Sequence, residues 1–436
     1  MKQVDDWAYL RNTASLTLIT VQTITCIWKL LEKKITMWRV WHSLQETGSL
    51  SHLNRESHIC SLTMPAALLS ANSAFLNAET DFGLNMLRQS PVTEQLVVSP
   101  ISVIFALAMV EAGAKGKTKD QINKVISNGA TDREIVEFYS DLARDTLKAN
   151  NGVQTKIANA FFMDKKFTIE KPYADTIIKR YSAKVEALDF GQAEQTAKTI
   201  DAFVSENTAG KIQNLITEDT VRGASSLIIN AVYFIAKWEY EFSKDSTSNR
   251  TFYSTENSKK EIEFLDEYEE NRYYAEDTDM QVLSLRYKDT SYAMNIFLPK
   301  KRFGLDALRK KLNGAAIQKV LSQLRRTYMT ISIPKMKIET DFNLKDALIA
   351  MGITEMFSNT ADLTGISKAS PLKVSDAAHR AIIEVDEEGT TAAAASFFRV
   401  YLVSMRWDKP TRFVADHPFL FVLTKNNNPL FMGQFA

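Results

Sequence analysis

A run of fourteen residues near the carboxyl end, Glu387-Glu388-Gly389-Thr390-Thr391-Ala392-Ala393-Ala394-Ala395-Ser396-Phe397-Phe398-Arg399-Val400, constrains the fold more than any other stretch of this chain. A glycine behind two carboxylates makes a flexible joint, and the four alanines that follow carry almost no side-chain bulk. From Thr390 the even positions read Thr, Ala, Ala, Ser, Phe, Val and Leu402, while the odd positions carry Arg399 and Tyr401. At a period of two, the even set faces a core and the odd set turns charge and phenol outward. The segment is thus written as a strand whose leading end is small enough to slide between other strands. An Ala-rich helix or a plain linker is the competing reading, because alanine has the highest helix propensity.

The surroundings decide between them. Upstream lies Ser367 to Gly389, including Pro371, His379 and the run Ala-Ile-Ile-Glu-Val-Asp-Glu-Glu; downstream lie Phe413-Val-Ala-Asp-His-Pro-Phe-Leu-Phe-Val-Leu and Pro429-Leu-Phe-Met-Gly-Gln-Phe-Ala436. Further blocks are Val98-Ser-Pro-Ile-Ser102, Asn230-Ala-Val-Tyr-Phe-Ile-Ala-Lys-Trp238, Ile333-Pro-Lys-Met-Lys337, Asp341-Phe-Asn-Leu-Lys-Asp-Ala-Leu and Met351-Gly-Ile-Thr-Glu-Met-Phe-Ser. In this order, over residues 75 to 436, the pattern closely resembles the serpin family. The resemblance implies an α+β fold with three β-sheets, eight to nine helices and an exposed reactive-centre loop at about 387–412. It also implies that a cleaved loop joins the main sheet as an extra strand.

Composition adds few constraints of its own. The 436 residues are 45% hydrophobic, enough for a large core. Lys plus Arg (53) and Asp plus Glu (52) nearly cancel, so net charge offers no reason to expect a nucleic acid or a membrane surface as partner. The first 63 residues differ from the rest, holding Cys26, Cys60 and four of the six tryptophans. Asp5 and Asp6 oppose a secretory leader, and threonines interrupt the apolar stretch from Leu16 to Leu31, so residues 1–63 are expected to be a disordered extension or a gene-model artefact, with 64–436 as the domain. A signal anchor is the alternative. The domain has no cysteine and hence no argument for an oxidising compartment; a cytoplasmic location is expected, with secretion as the alternative.

Local patterns place several elements. Ser99 followed by Pro100 opens a helix with Ile101, Ile104, Phe105, Ala108 and Met109 on one side and Gly113 at its end. Thr196 to Glu206 continues the helical pattern. Leu227 to Phe234 and Tyr328 to Ile333 read as strands, and Phe419–Leu423 with Leu430–Phe435 read as a hairpin around Asn426-Asn-Asn-Pro429.

Catalytic signatures are missing. Gly113-Ala-Lys-Gly-Lys-Thr118 fails as a phosphate loop, because Glu111 occupies the position of the required first glycine. There is no G-x-S-x-G elbow and no H-E-x-x-H pair. No enzyme activity, metal or cofactor is expected.

What remains follows from the resemblance. Glu387 to Ala395 form the hinge, and its small residues are those of inhibitory members; Thr391 stands where many relatives carry glutamate. Ser99, Ser102, Asn230 and His379 match the shutter beneath the opening sheet. Trp238, with the ion pair of Lys335 and Glu387, matches the breach at the top. The family spacing from Gly389 puts the scissile bond between Val403 and Ser404. Valine suits elastase-like proteases, Leu402 a chymotrypsin-like enzyme or a cathepsin-type cysteine protease, and Arg399 and Arg406 fall off register for trypsin-like enzymes. The implied partner is a target protease held as a covalent acyl complex by a monomeric inhibitor. Lys115, Lys117, Lys119 and Lys124 alternate with acids, so heparin activation is not expected. A non-inhibitory serpin serving as a binding or chaperone module is the second reading.

Overall fold

Ser99 and Pro100 begin a helix for the reasons legible in the sequence. Pro100 at the first position needs no N–H partner, and the Ser99 hydroxyl accepts from the Ser102 amide. The computed structural model describes residues 66–148, 152–369, 371–390 and 409–436. Within it, helix Pro100–Gly113 is buried on nearly every side, as a helix apolar all round must be. Residues 1–63, Thr391 to Ala395 and the expected scissile bond Val403–Ser404 lie outside the described residues.

Two sheets flank that helix. One has the order β10 (Met336–Asn343), β11 (Asp376–Val385), β4 (Ser226–Lys237), β2 (Val153–Asp164) and β3 (Lys184–Leu188), with β12 (Gly389–Thr390) paired to β4 beyond the end of β11. The other runs β1 (Leu96–Val98), β15 (Asn428–Phe435), β14 (Phe419–Lys425), β8 (Tyr292–Pro299), β7 (Met280–Arg286), β6 (Ser258–Glu276), β9 (Arg325–Pro334) and β13 (Thr411–Val414), with β5 (Ser248–Thr255) on β6. The resemblance implies three sheets. Here the hydrogen bonding of the second and third runs on through β6, which is 19 residues long and bulged between Glu267 and Glu270, so they form one nine-stranded sheet. Ten α-helices occur among the described residues, three of them no longer than seven residues. None is long and apolar enough to cross a membrane.

β4 is covered on both faces, which explains its unbroken apolar run. Ile228, Val232 and Phe234 join the main core on the side of helix Pro100–Gly113. Ile229, Ala231 and Tyr233 face the other way, against Ile200 and Val204 of helix Ala193–Asn207. The hairpin β14–β15 turns at Asn426 and Asn427, whose φ angles of 48° and 69° suit asparagine; Asn428 and Pro429 already belong to β15. At Gly433 of β15 the neighbouring strands β1 and β14 crowd in from both sides. A Cβ there would lie 2.2 Å from Phe421 Cζ and 2.5 Å from the Leu96 carbonyl oxygen. Gly433→Ala should therefore lower stability by about 1–3 kcal/mol through overpacking, seen as a reduced urea midpoint with unchanged slope.

Candidate functional site

The site occupies the line along which β11 and β4 meet. These neighbours are parallel, in register from Asp376 opposite Leu227 to Ile382 opposite Tyr233. Ser99, Ser102, Asn230 and His379 come together at mid-height. The His379 Nε2 accepts from the Ser99 amide at 3.1 Å, and the Ser99 hydroxyl donates to the Leu430 carbonyl at 2.6 Å. Asn230 Oδ1 accepts from the Ser102 hydroxyl at 2.9 Å and from His379 Nδ1. Its amide donates in turn to Asn159 Oδ1, and the Asn159 amide reaches the Ser102 carbonyl. One helix and four strands, β2, β4, β11 and β15, are thus cross-linked by neutral groups in a buried core.

That arrangement sets the histidine's charge. Nε2 faces a donor and Nδ1 faces an acceptor, so one neutral tautomer satisfies both. A second proton would have to sit against the Ser99 N–H. Burial alone pushes the His379 pKa down to about 3.

The upper end is built differently. Beyond Ile382 the two strands diverge, and the chain from Asp386 folds back so that Gly389 faces Lys237 and Thr390 faces Ala236 in an antiparallel pairing. Trp238 holds the fold-back: its amide donates to the Glu388 carbonyl and its Nε1 to the Asp386 carbonyl, both at 2.9 Å. Its ring stacks on Tyr287 with centroids 4.4 Å apart, and the Tyr287 hydroxyl meets Thr390 Oγ1 at 2.8 Å. Thr390 is fully buried. Gly389 has φ 155°, and a Cβ would come within 2.0 Å of the Ala236 carbonyl oxygen. Only glycine permits this approach, so Gly389 serves close contact here rather than a free joint.

Both carboxylates beside it are engaged. Glu387 pairs with Lys335 at 3.2 Å and accepts from the Thr247 hydroxyl at 2.7 Å; Glu388 pairs with Lys244 at 2.9 Å. Desolvation pushes the Glu387 pKa up, but the Thr247 hydrogen bond and Lys335 outweigh it and the net shift is downward. The expected exposed hinge is therefore corrected at Glu387 to Thr390. These residues are buried, because Trp238, Tyr287 and two lysines supply partners that the local sequence does not reveal. Asn159, Tyr287, Thr247 and Lys244 carry no signal of their own in the sequence. Asn159 sits in an ordinary strand run, and Tyr287 ends another.

A neutral polar cluster thus holds a parallel pair of strands, and the start of a later segment pairs with β4 above it. The model described as "Serpin (serine protease inhibitor)" matches residues 77–436. The chain belongs to the serpin family. It is 32% identical to human Serpin B4 over 383 residues, covering 82% of this chain and 98% of that protein. With the leukocyte elastase inhibitor of Xenopus laevis the identity is 34%, over 79% of this chain and 93% of the relative. Among solved structures, Serpin48 of the insect Tenebrio molitor superposes with a TM-score of 0.75 at 27% identity, covering 83% of this chain and 98% of its own. Uncleaved ovalbumin gives 0.74, also at 27%, over 83% and 99%.

The pH response of this serpin follows from His379. Its folded pKa lies below the unfolded value of 6.5, so the unfolded chain binds more protons between them. This contribution is complete above pH 6.5 and is lost as pH falls toward 3. At about 1.4 kcal/mol per pKa unit, it is on the order of 5 kcal/mol. Denaturation midpoints between these pH values should fall more steeply for the wild type than for His379→Asn, which cannot titrate. Equal slopes would show that His379 is not the titrating group.

Proposed function

We propose that this serpin inhibits serine endopeptidases as a suicide substrate, using the segment from about 387 to 412 as bait. The protease serine would attack the Val403 carbonyl, the Val403–Ser404 bond would break, and Ser404 would leave as a new amino terminus. Val403 would remain esterified to the protease. Movement of residues 391 onward into the sheet would then carry the acylated enzyme away before water could release it.

The observation that carries this reading is β12. Two residues of the hinge already pair with β4 in the direction an inserted strand requires. Continuing that register would set Ala392 opposite Phe234, Ala394 opposite Val232, Ser396 opposite Asn230, Phe398 opposite Ile228 and Val400 opposite Ser226. Residues directly opposite share a face, so the even-numbered side chains would enter the main core, the alanines first. The parallel β11–β4 pairs would part, and the new strand would bond to both neighbours. At about 0.5–1.5 kcal/mol net per hydrogen bond, ten inserted residues supply on the order of 10 kcal/mol, comparable with a domain's stability. Valine before the cut bond suits an elastase-like pocket, and one of the similar proteins is named a leukocyte elastase inhibitor. An elastase-type serine protease is therefore the first target to test, with chymotrypsin-like enzymes next.

Thr390→Arg should turn the inhibitor into a substrate. Thr390 is buried, with the Tyr287 hydroxyl as partner, and an arginine there would be an unpaired buried charge costing several kcal/mol. Residues 389–390 should swing out while the rest stays folded. The loop should still be cut by elastase, but the SDS-resistant complex of the wild type should disappear. Complex formed at wild-type stoichiometry would sink the insertion mechanism.

Metastability gives an independent check. If the intact protein is kinetically trapped, cleavage between Val403 and Ser404 should raise its melting temperature, whereas nicking an ordinary domain lowers it. Burial of Phe398, Val400 and Leu402 would add roughly 1.5–3 kcal/mol each. An unchanged or lower midpoint after cleavage would transfer the lead to a non-inhibitory binding module.

A further inference from the structure

Beside the Trp238 ring lies a cavity of about 60 Å³ that the inhibitory reading does not use. Since one water needs about 10–15 Å³ of such space, it has room for about five heavy atoms. Three arginines line it: Arg272, Arg286 and Arg326. Arg272 is committed, paired with Glu267 and lying 4.9 Å above the Tyr240 ring. The Arg286 guanidinium stacks on Tyr273 at 4.0 Å, which occupies its face and leaves its in-plane N–H groups unused. Among the described residues, neither Arg286 nor Arg326 has a carboxylate at ion-pair distance or a hydrogen-bond acceptor for its guanidinium. Glu239 is the one carboxylate on the lining, and it pairs with neither. The Ser284 hydroxyl completes the set; the residue is 4% exposed, lines the cavity and has no hydrogen-bond partner within the described protein.

Two unneutralised guanidinium groups and an unpartnered hydroxyl around a space of this size form a receptor for a compact anion. We propose that this cavity binds a small tetrahedral oxyanion, phosphate or sulfate, through Arg286, Arg326 and Ser284. Five heavy atoms fill the volume, and planar N–H pairs match oxygen acceptors on such an anion. The site also touches the machinery of the sheet. Trp238 and Phe242 form part of its wall, and the same residues donate to the carbonyls of Asp386, Glu388 and Glu387. An anion that fixes this wall holds the fold-back in place, and with it the pairing of Thr390 to Ala236.

The test is a calorimetric titration of the full chain with inorganic phosphate at constant ionic strength, repeated with sulfate. Saturable binding at one site per chain is expected. Arg286→Gln combined with Arg326→Gln should weaken it about tenfold or more, while Arg144→Gln, at an exposed arginine paired with Asp141, should leave it unchanged. Should the double variant fail to fold, Ser284→Ala provides the second variant, with affinity lowered about threefold to tenfold. Bound phosphate should also slow hydrogen exchange across Ala236 and Thr390. No saturable heat, or equal affinity in wild type and the site variants, would overturn the proposal. None of these measurements involves a protease, so failure here and failure of the inhibitory reading are separate results.

Discussion

The parallel pairing of β11 with β4 is the contact on which the rest of this serpin depends. Seven residue pairs along it join the two halves of the six-stranded sheet. Parallel pairing is slightly weaker per residue than antiparallel pairing, and a strand placed between these two would be antiparallel to both. Under the proposed mechanism, a strand entering between them would replace each parallel pair with two antiparallel ones.

The two ends of the seam are held by different chemistry. At mid-height the bonds of Ser99, Ser102, Asn159, Asn230 and His379 are neutral and buried, so separating any element would strand donors and acceptors in an apolar core. At the top the partners are charged and nearer to water: Glu387 with Lys335, and Glu388 with Lys244, whose side chain is 57% exposed. Such pairs yield more readily. Acid weakens both ends by different routes. His379 has no room for a second proton, and Glu387, held below its usual pKa, loses its pairing once protonated.

The outer face of the sheet adds a further restraint. Helix Ala193–Asn207 packs Ile200 and Val204 in one apolar cluster with Ile229, Ala231 and Tyr233 of β4. Arg380 of β11 pairs with Asp341 of β10 and donates to the Gln213 carbonyl at 2.6 Å, tying the far side of the seam to the segment that leads from this helix toward β4. Under the proposed mechanism, parting the two strands would also disturb these contacts of β4 and β11.

Much of this was legible in the sequence, and the reason is local. The cap at Ser99 and Pro100, the double-sided apolar run of β4, the paired asparagines of the β14–β15 turn and the small leading residues of the hinge each follow from steric or hydrogen-bonding demands within a few positions. The grouping of Ser99, Ser102, Asn230, His379, Trp238, Lys335 and Glu387 came from resemblance, since nothing in their own neighbourhoods brings them together. Only the tertiary structure decided that Asn159 closes the polar cluster, that Tyr287 meets Thr390 and that Glu387 and Glu388 are buried rather than free. It also decided that Gly389 and Thr390 pair with β4. Those outcomes depend on partners more than fifty residues away in the chain, and a side chain's local pattern sets which face it presents without specifying what a distant strand will place against it.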